Sequence, residues 1–135
     1  MPVRVRYKVE VAISSSTAEE RDLGNGKFEV VVDSLNEGGS WKTVVAGGAS
    51  NQQIQLPNVA SAQFLAIRTS PKNPNDPAVA LTFTKNSPTG EAIVVAPLSG
   101  SKEGYFLFTT STLTSLYCSN AGSTAMDVQI YVGGD

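Results

Sequence analysis

Apolar and polar residues alternate along much of this chain, and the alternation is clearest at its start. From residue 3 to residue 13 the odd positions are apolar or aromatic, and the even positions are mostly charged. A period of two residues puts the two sets on opposite faces of a β-strand. One face of this first strand is therefore predicted to be buried and the other to meet water, as in antiparallel sheets.

Shorter apolar runs follow, separated by turn residues, and no segment shows the period of a helix. Residues 105–109 are apolar on both sides, which favours a central strand. The pattern predicts an all-β fold: a single antiparallel β-sandwich, jelly-roll-like, with about eight to ten short strands. The runs lie at 28–32, 41–46, 54–56, 63–69, 79–83, 93–95, 105–109, 113–118 and 126–132.

One domain spanning residues 1–135 is expected, because no linker or repeat divides the chain. Two polar segments are predicted to be loops or arms: the serine-rich stretch 14–25, and the proline-rich stretch 70–77, which no strand ladder would accommodate. Residues 36–39, Asn-Glu-Gly-Gly, are predicted to turn the chain between two strands.

Composition argues against several kinds of chemistry. The chain has no histidine and one cysteine, so the commonest general base and metal ligand is missing and no internal disulfide can form. We expect no catalytic residues, no cofactor and no designed metal site. The net charge of −2 gives no global attraction to nucleic acid or to anionic membranes. Without a signal-peptide pattern or a long apolar run, a soluble product of a reducing compartment is expected.

Charged residues make up only 16% of the chain, against about 25% in ordinary domains. This suits a subunit that packs against copies or partners, although all-β domains rich in serine and threonine show it too. Cys118 lies in an apolar alternation and is predicted to be a core residue. Glu29 and Asp33 share a strand face, but no aromatic wall accompanies them, so a catalytic carboxylate pair is disfavoured.

Four residues are candidates for an interface, chosen for exposure and chemistry. Arg4, Arg6 and Lys8 form a basic stripe on one strand face, which could dock on an acidic partner or simply be solvated. Trp41 could anchor an interface, stack on a sugar, or pack at the edge of the core.

The second half of the chain, residues 62–133, resembles small all-β virion proteins of tailed bacteriophages. The features that carry the resemblance are an apolar strand running into an Asn-Ala-Gly turn, at 116–122, and an alternating final strand that reaches Gly-Gly, at 127–134. The resemblance covers about half of the chain and transfers no functional residue.

The resemblance implies a non-enzymatic structural role in a virion, made in the cytosol of a bacterial host. We expect a capsid cement (decoration) protein, a homotrimer on the capsid surface that bridges and stabilises major capsid subunits. A tail, adaptor or baseplate subunit is the close alternative. A carbohydrate-binding or receptor-binding module, with Trp41, Tyr105 or Tyr131 as its platform, is the alternative of a different class. Neither nucleic acid nor membrane is expected as a partner.

Overall fold

The computed structural model describes residues 3–14, 22–35, 37–56 and 60–134, and in this part of the chain the fold is built from β-strands without helices. No helix there is long and apolar enough to cross a membrane. The strands are β1 (Val3–Ser14), β2 (Asp22–Leu35), β3 (Glu37–Val45), β4 (Gln52–Ile54), β5 (Ala62–Pro71), β6 (Leu81–Lys85), β7 (Ala92–Val95), β8 (Gly104–Leu113), β9 (Leu116–Ser119) and β10 (Met126–Gly134).

The strands form a two-stranded hairpin and two four-stranded sheets. Strands β1 and β2 make the hairpin, sheet I has the order β3-β10-β5-β8, and sheet II has the order β4-β9-β6-β7. Every neighbouring pair is antiparallel. The prediction of an all-β antiparallel sandwich is confirmed.

The strand pairs of the sandwich are nested. Strand β6 pairs with β7, β5 with β8, β4 with β9, and β3 with β10. From β3 onwards the chain therefore runs as one long antiparallel hairpin that is rolled into two sheets. In the innermost pair, Leu81 lies opposite Val95 and Phe83 opposite Ile93.

The core lies between the two sheets, where the apolar positions of alternating strands meet. Cys118 is buried there, as the alternation predicts. Among the hairpin residues whose side chains the structure describes, none belongs to this core cluster. Its largest fully buried side chains come from both sheets: Leu65, Leu113, Met126, Val128 and Ile130 from sheet I, and Ile54, Leu81, Phe83 and Leu116 from sheet II.

A buried amide holds the turn between β9 and β10. The side chain of Asn120 donates to the carbonyl oxygen of Thr124 at 2.8 Å and accepts from the amide of Gly122 at 3.0 Å. Its own backbone amide donates to the carbonyl of Ala49, 2.8 Å away. Asn120 thus satisfies backbone groups that the turn removes from the strand ladders.

Three local predictions were wrong in their bounds. Residues 22–25 belong to β2 and Ser14 to β1, because the hairpin ladder continues well beyond the apolar run; residues 15–21 lie outside the described part. Residues 70–71 close β5, so the predicted loop starts later. Residues 37–39 form the start of β3, because they pair with the end of β10 instead of turning back on β2.

The strand expected to be central is at an edge. Strand β8 pairs only with β5 among the described residues. Its outward apolar side is explained by the hairpin, which lies over part of sheet I, and not by a second neighbouring strand.

We predict that Asn120→Ala lowers the free energy of unfolding by about 2–3 kcal/mol, because buried backbone groups lose their partners. Chemical denaturation monitored by circular dichroism measures this. Asn75→Ala, at an exposed loop position, is the matched control and should change stability by less than about 0.5 kcal/mol. Equal effects of the two substitutions would contradict the structural role of Asn120.

Candidate functional site

The hairpin has one largely apolar face and one largely charged face. Its register places Tyr7 opposite Val30 and Val9 opposite Phe28 on the first face. The second face carries the even positions of β1. On this face Lys8 lies opposite Glu29, and Glu10 lies opposite Lys27. The two faces follow directly from the period-two alternation of the sequence.

The apolar face of the hairpin lies over the outer surface of sheet I. The rings of Tyr7 and Phe64 stack with centroids 5.2 Å apart and planes 17° from parallel. Residues 4–8 border the ends of β3 and β10 and the middle of β5, whereas residues 8–10 border β8 at residues 105–107. The hairpin therefore crosses sheet I from β3 towards the β8 edge.

The contact between hairpin and sheet I is incomplete. One groove of about 460 Å³ opens beside residues 4–8, and another of about 580 Å³ opens between residues 8–10 and β8. Groups that pack at the density of a protein interior leave no voids of this size. The hairpin is thus attached by a few contacts, with solvent-accessible space on both sides of them.

Large apolar side chains remain exposed along the hairpin. Phe28 is 64% exposed, and Val11 and Val30 on the same face are also exposed. Val31 is exposed on the opposite, charged face. Contiguous exposed apolar groups of this kind mark interaction surfaces more often than scattered single residues do.

The predicted basic stripe is positive only in part. Lys8 lies 3.2 Å from Glu10, and Lys27 lies 3.2 Å from Glu29, so these four residues form a balanced set of alternating charges. Arg4 and Arg6 are exposed at the other end of β1, where they border the groove beside Phe64. The sequence disfavours Glu29 and Asp33 as a catalytic carboxylate pair. Glu29 forms an ion pair with Lys27, as charges on a solvated sheet face do, and the side chain of Asp33 lies outside the described part.

Trp41 does not join the basic stripe. It lies on β3 directly opposite Ile130, so it is on the core-facing side of sheet I, whereas Arg4 and Arg6 border the outer side. Trp41 is 45% exposed because β3 is an edge strand, and its ring lies at the rim of the core. The structure therefore divides the four candidate residues between two surfaces.

The sequence reading missed a polar cluster at the β8 end of sheet I. The guanidinium of Arg68 and the hydroxyl of Tyr105 both donate to the carboxylate of Glu103. The hydrogen bonds from Tyr105 and Arg68 lower the pKa of Glu103, and the bond to Glu103, with partial burial, raises the pKa of Tyr105. Tyr105 is 65% exposed, so its ring stands out from the sheet in a fixed orientation.

This cluster leaves no signal in the sequence, because Arg68 is far from Glu103 and Tyr105 along the chain. Strand pairing brings them together: Arg68 lies directly opposite Tyr105 in the β5–β8 ladder. Only the pairing of β5 with β8 and its register could have revealed the cluster.

Cys118 is the free cysteine of the chain and is buried. Burial raises the pKa of the Cys118 thiol to about 12, so at neutral pH it is protonated and a poor nucleophile. No cluster of three or more metal-ligating side chains occurs in the part of the chain that the structure describes.

The chain has no significant match among protein-family models, curated proteins or solved structures.

We predict that Cys118 is unreactive towards a thiol reagent in the folded protein at pH 8 and reacts fully after unfolding. Its burial and raised pKa both suppress the thiolate. Reaction with a chromogenic disulfide, with and without denaturant, measures the two rates. A native rate equal to that of a free thiol would be inconsistent with this burial.

We also predict that Glu103→Gln lowers the pKa of Tyr105 towards the ordinary tyrosine value of about 10, because the carboxylate that opposes ionisation is gone. Titration of tyrosinate absorbance measures the change. Tyr105→Phe is the control, since it removes the titration of Tyr105 itself and so identifies its contribution to the curve. An unchanged titration curve in Glu103→Gln would show that the carboxylate does not act on Tyr105.

Proposed function

We propose that this chain is a non-enzymatic virion structural protein, a capsid cement protein that bridges and stabilises major capsid subunits. The observation that carries the proposal is the β1–β2 hairpin, which exposes large apolar side chains on both faces and lies outside the core cluster. An element of this kind contributes little to its own domain and has surface available for a neighbour.

The energetics of a two-stranded sheet support this proposal. A hairpin with only two strands is marginally stable in water, and further strands or a packed face are needed to stabilise it. Here β1 and β2 span 12 and 14 residues, and sheet I covers only part of one face. Docking of the rest on a partner would bury Phe28 and its apolar neighbours, at roughly 25 cal/mol per Å² of apolar surface.

The nested order of the sandwich strands also supports a virion role. The nested pairing of eight antiparallel strands supports the interpretation of the sandwich as a jelly roll, an architecture used by viral capsid proteins among others. The architecture by itself does not decide the function, because jelly rolls also occur in lectins and other proteins.

The sequence supports the same proposal through the resemblance of residues 62–133 to small tailed-phage virion proteins and through the low charge content. On this proposal the protein is made in the cytosol of the host and is located on the capsid surface. Its partners are copies of itself, as a homotrimer, and the major capsid protein. A tail, adaptor or baseplate subunit would use the same hairpin surface against different neighbours.

One observation favours a second candidate function, the binding of a carbohydrate. The exposed ring of Tyr105 is held by Glu103, which is itself held by Arg68, so an aromatic platform lies beside charged hydrogen-bonding groups. Tyr105→Ala should abolish binding in a glycan screen if this is the function. A blank screen at millimolar ligand would count against it.

We predict that Phe28→Asp abolishes attachment to capsid shells, because it places a charge in the apolar surface that docks. Leu98→Asp is the matched control: Leu98 is 83% exposed, but it lies in the loop between β7 and β8, away from the hairpin. Co-sedimentation with shells measures attachment, and the temperature at which shells open measures stabilisation.

The expected result is that wild-type protein and Leu98→Asp bind and raise the opening temperature, whereas Phe28→Asp does neither. Shells that open at the same temperature with and without the wild-type chain would remove the cement role. Equal binding by both variants would remove the hairpin as the docking element.

A further inference from the structure

Sheet I has two long, unprotected edges. Among the described residues, β3 and β8 are its edge strands, and they span 9 and 10 residues. The edges of sheet II, β4 and β7, span only 3 and 4 residues. Natural proteins blunt exposed edges with short strands, charges or proline. Strand β8, with the sequence GYFLFTTSTL, has neither charge nor proline, and its regular edge runs from Gly104 to Thr109, after which the ladder with β5 is irregular.

The two edges run in opposite directions. All three pairs within sheet I are antiparallel, so the four strands alternate in direction and β3 is antiparallel to β8. A second copy added beside the first in the same orientation therefore brings its β3 against β8 in an antiparallel arrangement. The alternation of the sheet continues across the junction without interruption.

The free hydrogen-bonding groups of both edges can be assigned from two contacts. The amide of Lys72 donates to the carbonyl of Ala125 at 3.0 Å. Because hydrogen-bonded and non-hydrogen-bonded pairs alternate along an antiparallel ladder, this contact determines which residues of β5 bond to β10. On β3, the carbonyl of Val44 accepts from the side chain of Gln52 at 3.0 Å, away from β10. By antiparallel alternation, the backbone groups that point outwards belong to Ser40 and Lys42 on β3 and to Tyr105 and Leu107 on β8.

The rows of side chains across sheet I indicate what would meet at the junction. One core-facing row begins with Trp41 and ends with Phe106, and one outer row begins with Lys42 and ends with Tyr105. If these rows continue into the next copy without a shift in strand register, Phe106 meets the Trp41 of that copy. Lys42, which forms an ion pair with Asp127 of its own chain at 3.5 Å, then lies beside Tyr105, whose ring offers a face to the cation.

The hairpin adds area to this junction. Strand pairing over the six regular residues of β8, about 20 Å long and about 10 Å wide, covers only about 200 Å² per partner, whereas stable interfaces bury about 800 Å². The hairpin crosses sheet I towards β8, and its exposed residue Val11 follows the last segment that borders β8. The part of the hairpin that extends past β8 overhangs this edge. It would cover the outer side of β3 in the adjoining copy, near the exposed Val44.

We infer that β8 of one copy pairs antiparallel with β3 of a second copy, so that the chain assembles head to tail into a closed ring. The inference rests on the proposed function, because it names the self-contact of the assembling subunit. A two-fold junction of β8 with β8 is disfavoured, since both hairpins would overhang the same edge and occupy the same space. Head-to-tail contacts generate a ring when the rotation between copies closes, as the proposed homotrimer requires.

Proline at an outward-pointing amide tests the junction. Proline is tolerated at an edge position whose N–H does not bond within the sheet, but it blocks a further ladder. Leu107→Pro and Ser40→Pro should each give a monomer of 14.2 kDa by light scattering, whereas the wild-type chain is a multiple of that mass. An equimolar mixture of the two should give a dimer, because one intact β8 and one intact β3 remain.

Cysteine cross-linking gives a second readout that does not depend on the proline variants folding. Leu107 and Ser40 end the same outer row, so Leu107→Cys combined with Ser40→Cys should form disulfides between copies. The band of highest mass gives the ring size. Leu107→Cys combined with Trp41→Cys is the control, because those side chains lie on opposite faces and should not cross-link.

The outcomes separate this inference from the proposed function. An assembly that survives both proline variants, or that only one of them dissociates, overturns the head-to-tail junction. A wild-type chain that is monomeric and does not cross-link also overturns it, and attachment to shells then tests the cement role independently. Loss of shell attachment in Phe28→Asp with an intact ring would leave the junction standing and place the capsid contact on the hairpin.

Discussion

The register of β10 is the constraint on which the rest of the sandwich depends. This strand pairs along its whole length with β3 on one side and β5 on the other, although both come much earlier in the chain. Its alternate residues Met126, Val128 and Ile130 fill the core. Because a shift by one residue would turn these side chains outwards, burial fixes the register of three strands at once. The positions of Trp41 and Tyr105 at the two edges follow from it.

Since the core closes without the hairpin, the hairpin is free to serve a different purpose. The core cluster extends from Val45 to Val132 and includes none of the described side chains of β1 or β2. The stacked rings of Tyr7 and Phe64 hold the hairpin against sheet I, but open grooves remain on either side. A fold that needed this element for stability would pack it more closely. Its exposed apolar residues are better explained by contacts made outside the chain.

The sequence predicted what depends on local pattern and missed what depends on pairing. The alternation of residues 3–13 correctly separated the two hairpin faces, and the apolar setting of Cys118 correctly placed it in the core. It could not show that Glu29 of β2 lies opposite Lys8, because that depends on the register of the hairpin. Nor could it show that residues 105–109 lie in an edge strand. A strand covered by the hairpin and a strand between two neighbours have the same apolar pattern in the sequence.

The edges of sheet I connect the composition of the chain to its assembly. A strand such as β8, long and without charge, invites pairing with any exposed edge, and selection normally removes such strands from monomers. Retaining it is costly unless a specific partner covers it. The opposite directions of β3 and β8 supply that partner from the chain itself, and the low charge content of 16% reduces repulsion between copies. The same features that would make a monomer prone to aggregation thus suit a subunit whose edges are closed by its neighbours.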